Sequence, residues 1–142
     1  MVDDQRGSVL LLLPVAALVF LILGALAVDF SSAWSASRQL SEAAAGAAND
    51  AASRAIDLDE LYATGELHLL PDQARQVAER SVRGAGLDRL DATVTDVEVQ
   101  GLTVTVTVRG RAHYVFGRAV PGGPEGADVS ATAAVTAEVP NG

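Results

Sequence analysis

His68 and His113 are the only histidines among the 142 residues, and the chain has no cysteine and no lysine. That restricts the available chemistry at once. Without cysteine there is no thiol nucleophile, no disulfide framework and no thiolate metal site. His68 sits among Leu67, Leu69 and Leu70, where local packing is the expected role. His113 falls on the polar side of an alternating run, and neither histidine belongs to an H-E-x-x-H pair. Asp57, Asp59, Glu60 and Glu66 gather oxygen ligands of the kind calcium takes, but their spacing does not follow an EF-hand loop, so a solvated surface is expected there. There is no phosphate-binding P-loop, no dinucleotide Gly-x-Gly-x-x-Gly and no Gly-x-Ser-x-Gly elbow. The 18 acids against 10 arginines give a net charge of -8, which offers phosphates no basic footprint. The sequence therefore predicts a non-enzymatic protein with no metal, no cofactor and no nucleic-acid partner.

The elements that carry the chain are more informative than its reactive groups. Hydrophobic residues make up 49% of the sequence but aromatic residues only 4%, because alanine (26) and valine (18) supply most of the apolar count. Ser8 to Val28 form an uncharged run of 21 residues, SVLLLLPVAALVFLILGALAV. As a helix it spans about 31 Å, the thickness of a bilayer's hydrocarbon core. Pro14 is a break that membrane helices tolerate. Gly24 and Ala25 allow close contact with another helix.

Ala25-Leu26-Ala27 also has the form of a signal-peptidase site, so the run is either a retained anchor or a removed leader. Retention is the expectation. The leader MVDDQRG carries two acids and one arginine instead of a positive region, and the apolar run exceeds the usual signal core of about 7–15 residues. Arg6 lies nearer the apolar edge than Arg38, which predicts a cytoplasmic N-terminus and an extracytoplasmic C-terminal part.

Behind the span, residues 29–56 form a stem rich in alanine, the strongest helix former. Arg38 and Glu42 are placed to pair at i, i+4. Trp34 suits the headgroup layer one to two turns past the membrane edge. Trp34, Leu40, Ala44, Ala48 and Ala51 are the expected packing residues of this stem. Its small side chains admit a very close neighbour, either the chain's own sheet or another copy of the stem. A continuous helix over 8–56 would run about 74 Å, with Gly46 its weak point.

The remainder, 57–142, reads as a small domain. Residues 57–65 are expected to connect. Residues 73–85 place Ala74, Val77, Ala78, Ser81 and Val82 on one helical face. Strands are predicted over 92–100, 102–109 and 129–139. The alternation of the second continues through Gly110, Ala112, Tyr114 and Phe116, and a Gly/Pro-rich loop, VPGGPEGAD, precedes the third. The expected organisation is a leader 1–7, a transmembrane helix 8–28, a helical stem 29–56 and an extracytoplasmic domain 57–142. The fold class is α+β: a long N-terminal helix packed on a small antiparallel sheet.

Arg6-Gly7, Leu13-Pro14, Ala27-Val28-Asp29, Arg38-Gln39-Leu40 and the run Ala43-Ala44-Ala45-Gly46-Ala47-Ala48 occur in that order. In this order they resemble the TadE/TadG-like group of Tad (tight adherence) pilus-assembly proteins. Phe116-Gly117 and Val129-Ser130-Ala131-Thr132-Ala133 are similar to the tail of such proteins. The resemblance covers residues 6–56 well and 100–137 loosely. It implies a pseudopilin or pilus-associated membrane protein whose partners are membrane lipid, other pilin-like subunits and inner-membrane assembly proteins. It also implies prepilin-peptidase cleavage after Gly7, with Ser8 as the new terminus. The glutamate usual five residues into the mature TadE-like chain is Leu12 here, which sides with TadG-like members. An anchored or secreted binding module unrelated to pili is the alternative function.

Overall fold

A computed structural model describes residues 5–138, with side chains described from Leu12 onward. The predicted span and stem form one helix, α1 (Gln5–Arg54, 50 residues). At the usual rise it is about 75 Å long. Pro14 lies inside it without ending it, as does Gly46, the expected weak point. Among the described residues this is the one helix long and apolar enough to cross a membrane.

The first half of α1 is bare. Leu13 and Phe20 are each 76% exposed, and Leu18, Leu21, Ile22, Leu23 and Leu26 are exposed with them. In water each such side chain forgoes on the order of 1.5–3 kcal/mol of burial, so this half requires an apolar surrounding that the chain's own domain does not supply.

The second half is buried along one stripe: Ala36, Leu40, Ala43, Ala44, Ala47, Ala48, Ala51, Ala52 and Ala55. The steps of three and four are those of one helical face. The stripe lies against the chain's own sheet, which decides between the two partners the sequence left open.

That sheet has three antiparallel strands in the order β1 (Thr93–Gln100), β2 (Thr103–His113), β3 (Gly126–Thr136). Gly101, with φ 59, makes the turn between the first two. Val104, Val106, Val108, Gly110 and Ala112 alternate onto the inner face of β2. The apolar residues of β1 and β3 flank them: Val94, Val97 and Val99 on one side, Val129, Ala131, Ala133 and Val135 on the other. The covering layer is α1 over β2 and β3, and a second helix, Pro71–Gly84, over β1. That helix buries Ala74, Val77, Ala78 and Val82. It is joined to α1 by Ser81 Oγ donating to Asp50 Oδ2 at 2.8 Å and by Gln73 Nε2 donating to the Arg54 carbonyl at 2.9 Å.

Large meets small across this interface. The valines of β2 share a core with the alanines of α1, and where β2 turns small at Gly110, α1 turns large at Leu40. A Cβ on Gly110 would stand 3.2 Å from a Leu40 methyl and 2.8 Å from the Leu90 carbonyl oxygen. Glycine is thus required there for space. The outer face of the sheet carries threonine pairs, Thr103–Thr136 at 2.9 Å and Thr107–Thr132 at 3.0 Å between hydroxyls.

Several boundaries differ from the sequence reading. The connecting segment holds a short helix, Leu58–Thr64, capped by Asp57, which accepts from the Glu60 N–H at 3.1 Å, and closed by left-handed Gly65. Asp57 and Glu60 have capping-box spacing, a signal the acidic character of the segment hid. β3 begins at Gly126, because Gly126, Ala127 and Asp128 pair with His113, Ala112 and Arg111 and complete the ladder of β2. β2 ends at His113, so Tyr114 and Phe116 leave the strand. β3 ends at Thr136, and Val139 lies outside the described residues.

The packing of the stem makes a quantitative prediction. Leu40→Ala should destabilise the domain by about 2–5 kcal/mol through an unfilled cavity, and Ala48→Leu by about 1–3 kcal/mol through overpacking. Ala45→Leu, on the exposed side of the same helix, should stay within about 0.5 kcal/mol. Urea midpoints of the detergent-solubilised chain measure all three.

Candidate functional site

The structure's most specific polar contact joins the exit of the span to the other end of the chain. Asp29 is the first charged residue after the apolar run. Its Oδ1 accepts the backbone N–H groups of Val115 at 2.8 Å and Phe116 at 3.1 Å, and its Oδ2 accepts that of Gly117 at 2.9 Å. The three donors are consecutive and lead into a 3-10 turn at Gly117–Ala119. N–H groups at the start of such a turn have no partner within it and converge on an anion.

The loop that supplies them is closed on itself. Tyr114 N–H donates to the Glu125 carbonyl at 3.0 Å, and Gly123 N–H to the Val120 carbonyl at 2.8 Å. A Cβ on Gly117 would lie 2.5 Å from the Pro124 carbonyl oxygen and 3.2 Å from Tyr114 Cβ, so only glycine lets the loop fold back this tightly. Residues 115–124 therefore form a compact loop seated on α1, not a slack connection.

Asp29 is half-buried in this setting. Burial beside the apolar loop pushes its carboxyl up, but the Phe116, Val115 and Gly117 N–H groups outweigh that and hold it below the usual aspartate range. Between helix and loop runs an open groove of about 830 Å³ with mainly apolar walls. Ile22, Leu23 and Leu26 form one side, and Phe116, Val120 and Pro124 the other.

The residues singled out in the sequence scatter along α1. Gly7 and Ser8 fall within its backbone, outside the residues whose side chains are described. Pro14 is exposed, and Gly24 faces open space, where an added methyl would meet nothing within 4 Å. Ala25 lines the groove. Leu40, Ala44, Ala48 and Ala51 are fully buried, whereas Trp34, grouped with them in the sequence, is 67% exposed and outside the core. The spacing explains the difference: Trp34 lies off the stripe that runs from Ala36 and Leu40 to Ala55.

His68 does not pack among the leucines. Leu69 turns inward instead, held by the backbone bridge between Ile56 and Leu69, and His68 points outward with Nε2 3.4 Å from Glu66. His113 is exposed, 3.8 Å from Asp91. Among the described residues, no group of three or more His, Asp or Glu side chains is placed to hold a metal ion.

Sequence reasoning missed the contact between Asp29 and the loop. Its two sides lie 86 to 88 residues apart, which no local periodicity reports. The usable signal was chemical: an aspartate at the end of an apolar helix, with no arginine or lysine within a turn of it, needs donors from elsewhere.

Residues 7–54 match a family model described as "Putative Flp pilus-assembly TadE/G-like". The match covers about a third of the chain, and over this segment the chain is similar to that family. No curated protein and no solved structure matches the chain. The TadE/G-like segment coincides with α1 almost end to end and so includes the bare apolar half, Asp29 and the buried stem. The long apolar helix and the family match together support a membrane-associated, pilus-related protein in general.

The geometry predicts what losing the carboxylate does. Asp29→Ala should raise amide exchange at Val115, Phe116 and Gly117 by about an order of magnitude and leave the amides of β2 unchanged. The same contact is pH-dependent. Because the folded-state pKa is depressed, the stabilisation is complete above the unfolded aspartate's value of about 3.9 and is lost as pH falls through the lower folded value. Exchange at these three amides, corrected for intrinsic rates, should therefore rise only in strong acid.

Proposed function

We propose that the protein is a membrane-anchored subunit or assembly factor of a Flp/Tad-type pilus or a related secretion apparatus. In this reading residues 1–7 are a short cytoplasmic leader, 8–28 the transmembrane helix and 29–56 the stem, and 57–142 are an extracytoplasmic domain. One observation carries the proposal: the family-matched segment is a single helix whose first half is bare and apolar and whose second half is consumed by the chain's own sheet.

The division of α1 bears on its partners. The alanine stripe is occupied internally, so it is not free to bind a neighbouring stem. The half between Leu12 and Val28 keeps its large apolar side chains exposed, for lipid, for other pilin-like subunits and for inner-membrane assembly proteins. Gly24, with open space around it, offers a neighbouring helix close approach. Leu12 stands where a filament-forming member's glutamate would be, which favours a subunit or assembly factor outside the filament's repeated core over a major pilin.

Three measurements in the native host test this. The protein should stay in the membrane through alkaline carbonate extraction. The mass of its mature form should begin at Ser8 if a prepilin peptidase acts and at Met1 or Val2 if the anchor is simple; a start at Val28 contradicts anchoring. Deleting the gene should abolish surface pili, with rescue by the intact chain and not by one lacking residues 8–28. Normal piliation in the deletion strain would contradict the pilus reading and leave an anchored binding module.

A further inference from the structure

Of the chain's six aromatic residues, Phe30, Tyr114 and Phe116 line one groove at the point where α1 leaves the apolar run, and Trp34 lies one turn further along the helix. Phe30 and Trp34 lie one turn apart on α1 and are 74% and 67% exposed. Phe116 is exposed in the loop held by Asp29, together with Val115 and Val120, each 60% exposed. Exposed valines and a phenylalanine at the tip of a tightly closed loop are costly in water, and the loop's own folding does not cover them.

Their depth can be read from α1. Ile22, Leu23 and Leu26 lie two to six residues before Val28, so they sit about 3–9 Å inside the end of the span. Phe116, Val120 and Pro124 face the same groove as these residues and share their level. That is the boundary between headgroups and acyl chains, where interfacial segments insert about 5–10 Å. Between Tyr114 and Pro124 the only charge is Arg118, which is exposed. An arginine there can lay its aliphatic stem along apolar surface and present its guanidinium to lipid phosphate. The carboxylate that would oppose insertion, Asp29, is spent on three loop N–H groups.

We propose that the loop 115–124 is a second membrane contact, seated in the interfacial layer of the same bilayer that α1 crosses, and that acyl chains fill the groove between loop and helix. The occupant is lipid because the groove is continuous with the lipid-facing surface of the span: one wall is the span itself. The protein is then held at two points, by a helix through the bilayer and by an aromatic and aliphatic loop resting in it. This inference rests on α1 spanning the membrane, and its test separates the two claims.

The full chain is placed, one copy per disc, in phospholipid nanodiscs whose lipids carry bromine either near the headgroup or deep in the acyl chain. In a Trp34→Phe background, a single tryptophan is introduced by Phe116→Trp, Phe20→Trp or Tyr62→Trp. Phe20→Trp reports the span and should be quenched by the deep bromine. Tyr62, 84% exposed on the helix Leu58–Thr64, gives the water-facing reference and should not be quenched. The proposal predicts that Phe116→Trp emits to the blue of the reference and loses on the order of half its emission to the shallow bromine.

Quenching of Phe20→Trp with none of Phe116→Trp would overturn the loop contact and leave the span standing. No quenching at Phe20→Trp would overturn both. Shielding of Phe116→Trp that appears only with two or more copies per disc would mean a second subunit covers the loop, and would also overturn the lipid reading. Because the chain has no cysteine, a spin label at Val120→Cys supplies a second probe that leaves Phe116 intact; it should be more accessible to oxygen than to an aqueous nickel complex, and the reverse order counts against the proposal.

Discussion

The carboxylate of Asp29 ties the point where α1 leaves its apolar run to a loop more than eighty residues later. One side chain satisfies three successive backbone donors that would otherwise face an apolar groove without partners, where each would be expensive to desolvate. Much follows from that contact. It fixes the start of the loop, and the loop's closure then sets where β2 ends and β3 begins. Leu40 against Gly110 makes a second point of registration between the same two elements. Asp29 meets the loop just after β2, and Leu40, further along the helix, meets Gly110 earlier in the strand, so α1 and β2 run antiparallel and are pinned at both points.

The alanine stripe explains why the domain can be so small. A three-stranded sheet buries only one face, and a helix with large side chains would stand off from it. Alanine at nearly every inward position of the stem lets the backbone of α1 approach β2 and β3 closely, with the bulk supplied by valine from the sheet. The same helix passes from its bare apolar half to its packed half with no break in its backbone, so its direction is transmitted directly to the sheet. The segment that is similar to the TadE/G-like family is therefore a structural beam for the C-terminal domain.

The architecture was largely legible in the sequence because its periodicities are strong. The uncharged run of 8–28, the alternation of Leu102 through Val108 and the helical spacing of Ala74, Val77, Ala78 and Val82 each report a local environment directly. What stayed hidden depends on distant partners. Gly126 to Asp128 read as loop by composition and are strand because β2 offers them a ladder. Trp34, expected among the packing residues of the stem, is exposed because it lies off the buried stripe. Asp29 and Phe116-Gly117 stand out in the sequence only as isolated features, and the fold alone brings them together. An ion held by backbone N–H groups leaves no complementary charge in the sequence to betray it.

The register of α1 against the sheet depends on Asp29 seating the loop against the helix. Leu26 and Val120 line the same groove from its two sides, and the chain has no native cysteine to interfere. Oxidative cross-linking between Leu26→Cys and Val120→Cys in a lipid bilayer measures that seating. Cross-linking should be rapid and intramolecular with Asp29 present, and many-fold slower once Asp29→Ala is added. Equal rates with and without the carboxylate would contradict the role given to Asp29.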